Sequence, residues 1–418
     1  MYLNWPNKDK TLIGIDIDNN PIWENRTSDI STPMLKSINS YGKTNRDSTD
    51  LKKSNNNILI RGDNLFSLVL LNNYFKNSIK CVYIDPPFNT GKIFDHYADA
   101  LDTDLWLSLV KARLVLMKEL LSEDGAIFVH IDDKLMPHLK ILMDEIFNLG
   151  NRVNCLDNHV TTIVWQKKSS PQNDAKFFSS MHDYILVYAK NINKLNLNLD
   201  QRTNKQNDRY KNIDNDSRGP WTSSDLTVKT PNPEWAYQVI LPSGRKVLPS
   251  KSRSWGFSKE RFDELCSENR IWFGKNGDSM PRLKRFLSEV KKGVVPRSLW
   301  LRDETGDNSE GKKEVKKFID KEKDVFTTPK PEKLLMKILN IATNEGDWVL
   351  DAFLGSGTTC AVAHKMKRKW IGLENGNQIE DICIPRLQDV ITGKDTGGIS
   401  KKVNWTGGGG FKYYKLSD

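Results

Sequence analysis

No stretch of eighteen apolar residues occurs in this 418-residue sequence, so it offers no candidate for a membrane-spanning helix. Cysteine is scarce. Cys81, Cys155, Cys266, Cys360 and Cys383 lie far apart, with no CxxC pair and no neighbouring histidine cluster. That spacing argues against a disulfide framework or a structural zinc, and for a reducing, cytoplasmic setting. The opening MYLNWPNKDK lacks an apolar core, so no secretory signal is expected there. The triphosphate-binding pattern GxxxxGK[ST] is also missing, which removes the usual signature of a helicase.

What is present is an uneven positive charge. The net is +10, and residues 191–325 hold 28 basic against 20 acidic groups, whereas residues 1–190 hold 22 against 23. A basic middle fits contact with a polyanion, although basic surfaces also serve solubility. Residues 1–55 are rich in Asn, Asp, Ser and Lys and read as a polar arm with little core of its own. ILIRGDNLFSLVLL (58–71) then reads as strand, turn and helix, followed by a strand at 80–85. Leu105, Leu109, Ala112, Leu116 and Leu120 recur at helical spacing over 101–124, and Gly125 is the expected stop. Strands at 126–132, 160–166 and 183–189 and a helix at 134–147 continue the alternation, which predicts a mainly parallel sheet covered on both faces.

From about 191 the alternation is lost. Trp221, Trp235, Trp255, Trp272 and Trp300 stand among basic residues such as RLKRFLSEVKKG (282–293). They could stack on bases beside phosphate contacts, or fill the core of a small irregular domain. KKEVKKFIDKEKD (312–324) reads as a solvated helix or linker. The α/β texture returns with a helix from Pro331, then strand, glycine turn, helix and strand over 346–374. Near the end, four consecutive glycines suggest a flexible linker, and the aromatics after them suggest docking.

Two stretches carry chemistry. In DAFLGSGTT (351–359), Gly355 and Gly357 allow a tight turn close to a ligand, and Glu374 ends the next strand, where a carboxylate can accept ribose hydroxyls. The third glycine of a dinucleotide fingerprint is missing, so an adenosine-bearing ligand without a diphosphate fits better than NAD or ATP. In CVYIDPPFNTGKIF (81–94), Asp85 ends a strand, and Pro86 and Pro87 fix the backbone after it. The result is a stiff ledge offering a carboxylate, the Pro86 carbonyl and the face of Phe88. Two acceptors side by side match the two hydrogens of an exocyclic amino group, and Phe88 could stack on a planar base. A strand followed by a proline-rich loop is the plain alternative. His130 with Asp132 and Asp133 could be drawn as a metal site, but a strand ending in polar residues explains them better, and His182 reads as a strand start.

Together, IDPPFNTG (84–91) and DAFLGSGTT (351–359), in this order, resemble the amino-group DNA methyltransferases of the permuted β class. GDN (62–64), HID (130–132), HDYILVYAK (182–190) and TTPKPEKLL (327–335) extend the likeness. IPRL, GGIS, VNW and GGGGFKYYKL are similar to the modification subunits of type III restriction–modification systems. The resemblance implies a doubly wound, mostly parallel Rossmann-like sheet. Its catalytic half would come first (56–190), then an inserted target-recognition region (191–325), then the S-adenosylmethionine half with the tail (326–418). It implies methyl transfer from S-adenosylmethionine, without a metal, to adenine N6 of double-stranded DNA. Asp85, Pro86, Pro87 and Phe88 would act at the target. Asp63, Asn64, Thr328, Lys330, Asp351, Phe353, Gly355, Ser356, Gly357 and Glu374 would line the cofactor, with Thr328 and Lys330 near its methionine carboxylate. A homodimer and a separate restriction subunit are the implied protein partners. The competing readings are a cytosine-N4 enzyme, where a serine would replace Asp85, and a non-catalytic recognition subunit, which should have lost one of the two motifs.

Overall fold

The computed structural model describes residues 3–16, 20–45, 50–88, 102–148, 157–172, 175–291, 293–318 and 329–417. Most of the ordered chain is built on one ten-stranded sheet. In chain order its strands are β1 (Leu35–Gly42), β2 (Asn57–Arg61), β3 (Ile79–Ile84), β4 (Leu121–Ile131), β5 (His159–Gln166), β6 (His182–Ala189), β7 (Leu299–Trp300), β8 (Trp348–Asp351), β9 (Lys369–Glu374) and β10 (Gly410–Leu416). Their spatial order is β7-β5-β6-β4-β3-β8-β9-β2-β10-β1, and only β6 and β1 run against the rest.

The central strands are short apolar runs because they are buried on both faces. In β3, Val82 and Ile84 enter one layer while Cys81 and Tyr83 enter the other. The first layer packs against α1 (Asn64–Phe75), α2 (Thr103–Leu120) and α3 (Met136–Asn148). The second packs against α4 (Glu332–Ala342), α5 (Thr358–Lys365) and α6 (Ile384–Thr392). Neighbouring β3 and β8 are parallel, with Cys81 opposite Val349 and Val82 opposite Leu350. The chain leaves β3 toward the first layer and β8 toward the second. A crevice therefore opens at their C-terminal ends, the usual ligand position in such sheets.

Three expectations are corrected. The polar arm is part of the fold: β1 forms the edge of the sheet along β10, and Trp5 is buried with its Nε1 donating to Ser108 Oγ at 2.7 Å. The glycine run is a docked turn rather than a linker. Gly407, Gly408 and Gly409 have φ of 104°, 114° and 75°, and His364 Nε2 donates to the Gly408 carbonyl at 2.8 Å. A Cβ on Gly409 would lie 2.8 Å from that imidazole nitrogen. Finally, α2 stops at Leu120 rather than at Gly125, because Leu121 is already paired with Ile79. Among the described residues, no helix is long and apolar enough to cross a membrane.

Residues 199–295 form a second compact unit. Its core contains Leu226, Val247, Trp255, Phe262 and Ile271. In the strand Arg282–Phe286, alternation buries Lys284 and Phe286 and exposes Arg282 and Arg285. Lys284 is bound to Asp214 and Asp216 and is not presented to solvent. Trp221 and Trp255 are buried as well, so for these two the core reading holds. Trp300 belongs to β7 of the large sheet and is buried there.

Behind the glycine turn lies a fully buried ion cluster. Glu332, at the start of α4, accepts from Lys365 Nζ of α5 at 2.7 Å, Arg386 Nη2 of α6 at 2.9 Å and the Ile399 N–H at 3.0 Å. Lys365 also pairs with Asp395 at 2.8 Å. Gly398 has no side chain because a Cβ there would collide with the Glu332 carboxylate. Removing one member of a buried ion cluster strands the others, at a typical cost of about 3–5 kcal/mol. Glu332→Ala should lower unfolding stability by that amount in a urea titration; a loss below about 1 kcal/mol would contradict this role.

Candidate active site

The ledge predicted at the end of β3 is held from several sides. Trp106 Nε1 of α2 donates to the Pro87 carbonyl at 2.7 Å, which fixes the second proline. The Asp85 Oδ2 atom bonds the ammonium of Lys330, just before α4. Oδ1 is buried and has no hydrogen-bond partner among the described residues. A buried carboxylate oxygen without a donor is costly, so an incoming N–H has a place waiting for it.

Phe88 stacks on His130, with ring centroids 5.9 Å apart and planes 18° apart, and the Lys330 ammonium lies 5.4 Å from the Phe88 centroid. His130 is the penultimate residue of β4 and is fully buried. Burial and the nearby Lys330 charge push its pKa down, so it is neutral. Its Nδ1 is 3.3 Å from Tyr83 Oη, and its Nε2 is 3.3 Å from Asp183 Oδ2. That fixes a tautomer in which Nε2 donates to the carboxylate. Burial alone would raise the Asp183 carboxyl, but the His130 hydrogen bond and the bond and charge of Lys167 outweigh it and hold the group well below the usual range. Lys167 Nζ lies 2.5 Å from Asp183 Oδ1. His130 is thus a support under Phe88, with both ring nitrogens held by buried neighbours.

The second half of the site lies across the crevice. Gly355 and Gly357 have φ of 55° and 78°, which a side chain would resist, and Gly357 is the N-cap of α5. Glu374 closes β9 and is buried, accepting from the Gly355 N–H at 2.8 Å, the Asn375 N–H at 2.9 Å and the Gly376 N–H at 3.0 Å. Glu374, expected at ribose hydroxyls, is engaged here by the backbone of the glycine turn and of the residues that follow β9. Asp351 accepts from the Phe353 N–H at 3.0 Å and from Thr359 Oγ1 at 2.5 Å. Ser356 Oγ lies 3.1 Å from Thr358 Oγ1, and its carbonyl accepts from Arg386. Asp63 caps α1 through the Leu65 N–H at 2.7 Å, and Asn64 Nδ2 donates to the Ala352 carbonyl at 2.8 Å. Asn64 therefore stitches the β2 turn to the β8 turn, while Arg113 of α2 grips both Asp63 and Asn64.

A family model described as DNA methylase (N6_N4_Mtase) matches residues 79–384. The chain belongs to this DNA methylase family. The chain is 32% identical over 425 aligned positions to the "Probable type III restriction-modification enzyme HindVI Mod subunit" of Haemophilus influenzae, covering 86% of this chain and 54% of that protein. It is also 32% identical to the type III restriction-modification enzyme StyLTI Mod subunit of Salmonella typhimurium, covering 73% of this chain and 49% of that one. The chain thus spans about half the length of these relatives. Among solved structures it is similar to the cytosine-N4-specific PvuII DNA methyltransferase, at 15% identity and a TM-score of 0.43, covering 83% of this chain and 90% of that one.

Of the residues expected in the site, Asp85, Phe88 and Lys330 come into direct contact. Asp63, Asn64, Asp351, Phe353, Gly355, Ser356, Gly357 and Glu374 gather around the two turns. Lys330, expected near the methionine carboxylate of the cofactor, is bonded to Asp85. Thr328 lies outside the described residues, as do Asn89, Thr90 and Gly91 of the first motif. Sequence reasoning missed Trp106, Arg113, Asp183 and Lys167 as supports. Their helical or strand spacing looks like ordinary core, and only the buried polar atoms of the folded chain reveal them.

The Asp351 carboxyl is pushed up to about 7, first by burial and further by the charges of Asp85 and Glu374. The native state therefore keeps a proton that the unfolded chain releases near pH 4. Stability attributable to this group falls as pH rises from about 4 to about 7, then levels off. Asp351→Asn cannot titrate, so its stability relative to wild type should rise across that window in urea titrations. A difference independent of pH would contradict the assignment.

Proposed function

We propose that this DNA methylase transfers a methyl group from S-adenosylmethionine to the N6 amino group of an adenine turned out of double-stranded DNA. The observation that carries the reading is Asp85, fixed at the end of β3 with one carboxylate oxygen buried and unpartnered among the described residues. That oxygen and the Pro86 carbonyl are two acceptors for the two hydrogens of an aromatic amine. Accepting both would draw the nitrogen toward a tetrahedral shape and localise its lone pair, which is otherwise spread into the ring. The Lys330 ammonium bonds the other Asp85 oxygen and lies over Phe88, the ring on which the base would stack, so it must give up its place over that ring when the base enters.

The residues around the glycine turn fit an adenosine-bearing cofactor. The left-handed glycines let the backbone approach it closely, Glu374 stands at the end of the next strand, and Asp63 and Asn64 border the same crevice. When bound, S-adenosylmethionine would supply a methyl group already activated on a sulfonium. Asp85 and Phe88 would orient the nitrogen for in-line attack, and positioning of this kind is the main contribution an enzyme makes to such a step. Once the nitrogen carries the methyl group, Asp85 or water would take the proton that the amine sheds.

Adenine is favoured over cytosine by the aspartate at position 85. A non-catalytic recognition role is disfavoured because both motifs are intact. The names of the two relatives support a place as the modification component of a restriction–modification system, with a separate restriction subunit. Homodimerisation rests on the family resemblance alone. Asp85→Ala should lower methyl transfer to unmethylated DNA by at least about a hundredfold while leaving cofactor affinity nearly unchanged. Normal transfer by that variant would remove Asp85 from the chemistry.

A further inference from the structure

The loop between β5 and β6 carries two phenylalanines that nothing in the fold uses. Phe177 is 84% exposed and Phe178 is 96% exposed, the most exposed of the large apolar residues described. Adjacent apolar side chains in open water are unusual on a soluble surface and mark a contact site. Lys176 is exposed beside them, with its ammonium 5.4 Å from the Phe177 centroid, and Lys168 is half-buried at the other end of the loop.

The position of the loop is set by the sheet. β5 is parallel to β3, because each is antiparallel to β6 directly or through β4. The loop therefore leaves the sheet at the edge where Asp85 ends β3. Three strand spacings separate the two, on the order of 14 Å. Its base is tied to the target ledge: the Lys167 N–H donates to the Met181 carbonyl at 2.9 Å, and Lys167 Nζ bonds Asp183, which holds His130 under Phe88.

Resting on the adenine-N6 reading above, we propose that Phe177 and Phe178 form a wedge that enters the duplex beside the extruded nucleotide and stacks on the bases left behind. Unstacking a base costs free energy that an inserted aromatic face can recover, and the flanking lysines meet the phosphates that such a wedge must approach. A protein partner would explain exposed aromatics equally well. It would not explain a basic loop anchored to the ledge that receives the base.

The test uses the full chain, wild type and two double variants, Phe177→Ala with Phe178→Ala and Phe177→Trp with Phe178→Trp. Methylated adenines are first mapped on unmethylated plasmid. Duplex oligonucleotides are then made with the target adenine paired, or facing an abasic site. The alanine variant should lose about tenfold or more in kcat/KM on the paired duplex, keep most activity on the abasic one, and bind cofactor normally. The tryptophan variant should retain activity on both. Equal loss on both duplexes, or no loss on either with a protein partner no longer retained, would overturn the wedge. A wild-type chain that methylates no plasmid adenine would remove the adenine-N6 reading instead. In that case, weaker duplex binding by the alanine variant, restored by tryptophan, would still support the DNA contact.

Discussion

The buried carboxylate of Glu332 is the constraint on which both halves of the site depend. It joins α4 to α5 through Lys365, to α6 through Arg386 and to the tail through the Ile399 N–H. Two residues upstream, Lys330 reaches across to Asp85. One residue in this short segment thus sets the helix that begins at the glycine turn, while its neighbour holds the ledge at the end of β3. Such a cluster is expensive to desolvate and tolerates no missing member. The crevice between β3 and β8 owes its shape to it as well as to the strands.

Around that frame the chemistry is divided by sheet topology. β3 delivers Asp85, the two prolines and Phe88, while β8 and β9 deliver the glycine turn and Glu374. Because β3 and β8 are neighbours whose following segments depart to opposite faces, residues more than 260 positions apart meet at one edge. Phe88 rests on His130, which is braced by Asp183 and Lys167, so the surface offered to a base is backed by buried hydrogen bonds.

Much of this was legible beforehand where local pattern and burial agree. The apolar runs of β2, β3, β4 and β9 announce strands buried on both faces, and the helical spacing from Leu105 to Leu120 announces α2. The strand-final Asp85 and the Gly355–Gly357 turn stood out because their chemistry is poorly explained by packing. What stayed hidden depends on distant partners. β1 reads LKSINSYG, nearly all polar, and becomes a strand only because β10 pairs with it. The glycines before β10 look like a linker until His364 is seen beneath them. Lys284 looks like a phosphate contact, yet Asp214 and Asp216 bury it. Lys330 was expected beside the cofactor because its motif gives a neighbourhood and cannot say which carboxylate it will bond.

The most direct test of the account is the identity of the modified nucleoside. Purified protein, labelled S-adenosylmethionine and unmethylated genomic DNA would be incubated, and the DNA digested to nucleosides for mass analysis. The account predicts N6-methyladenine. N4-methylcytosine, or no labelled nucleoside from protein that still binds the cofactor, would contradict it.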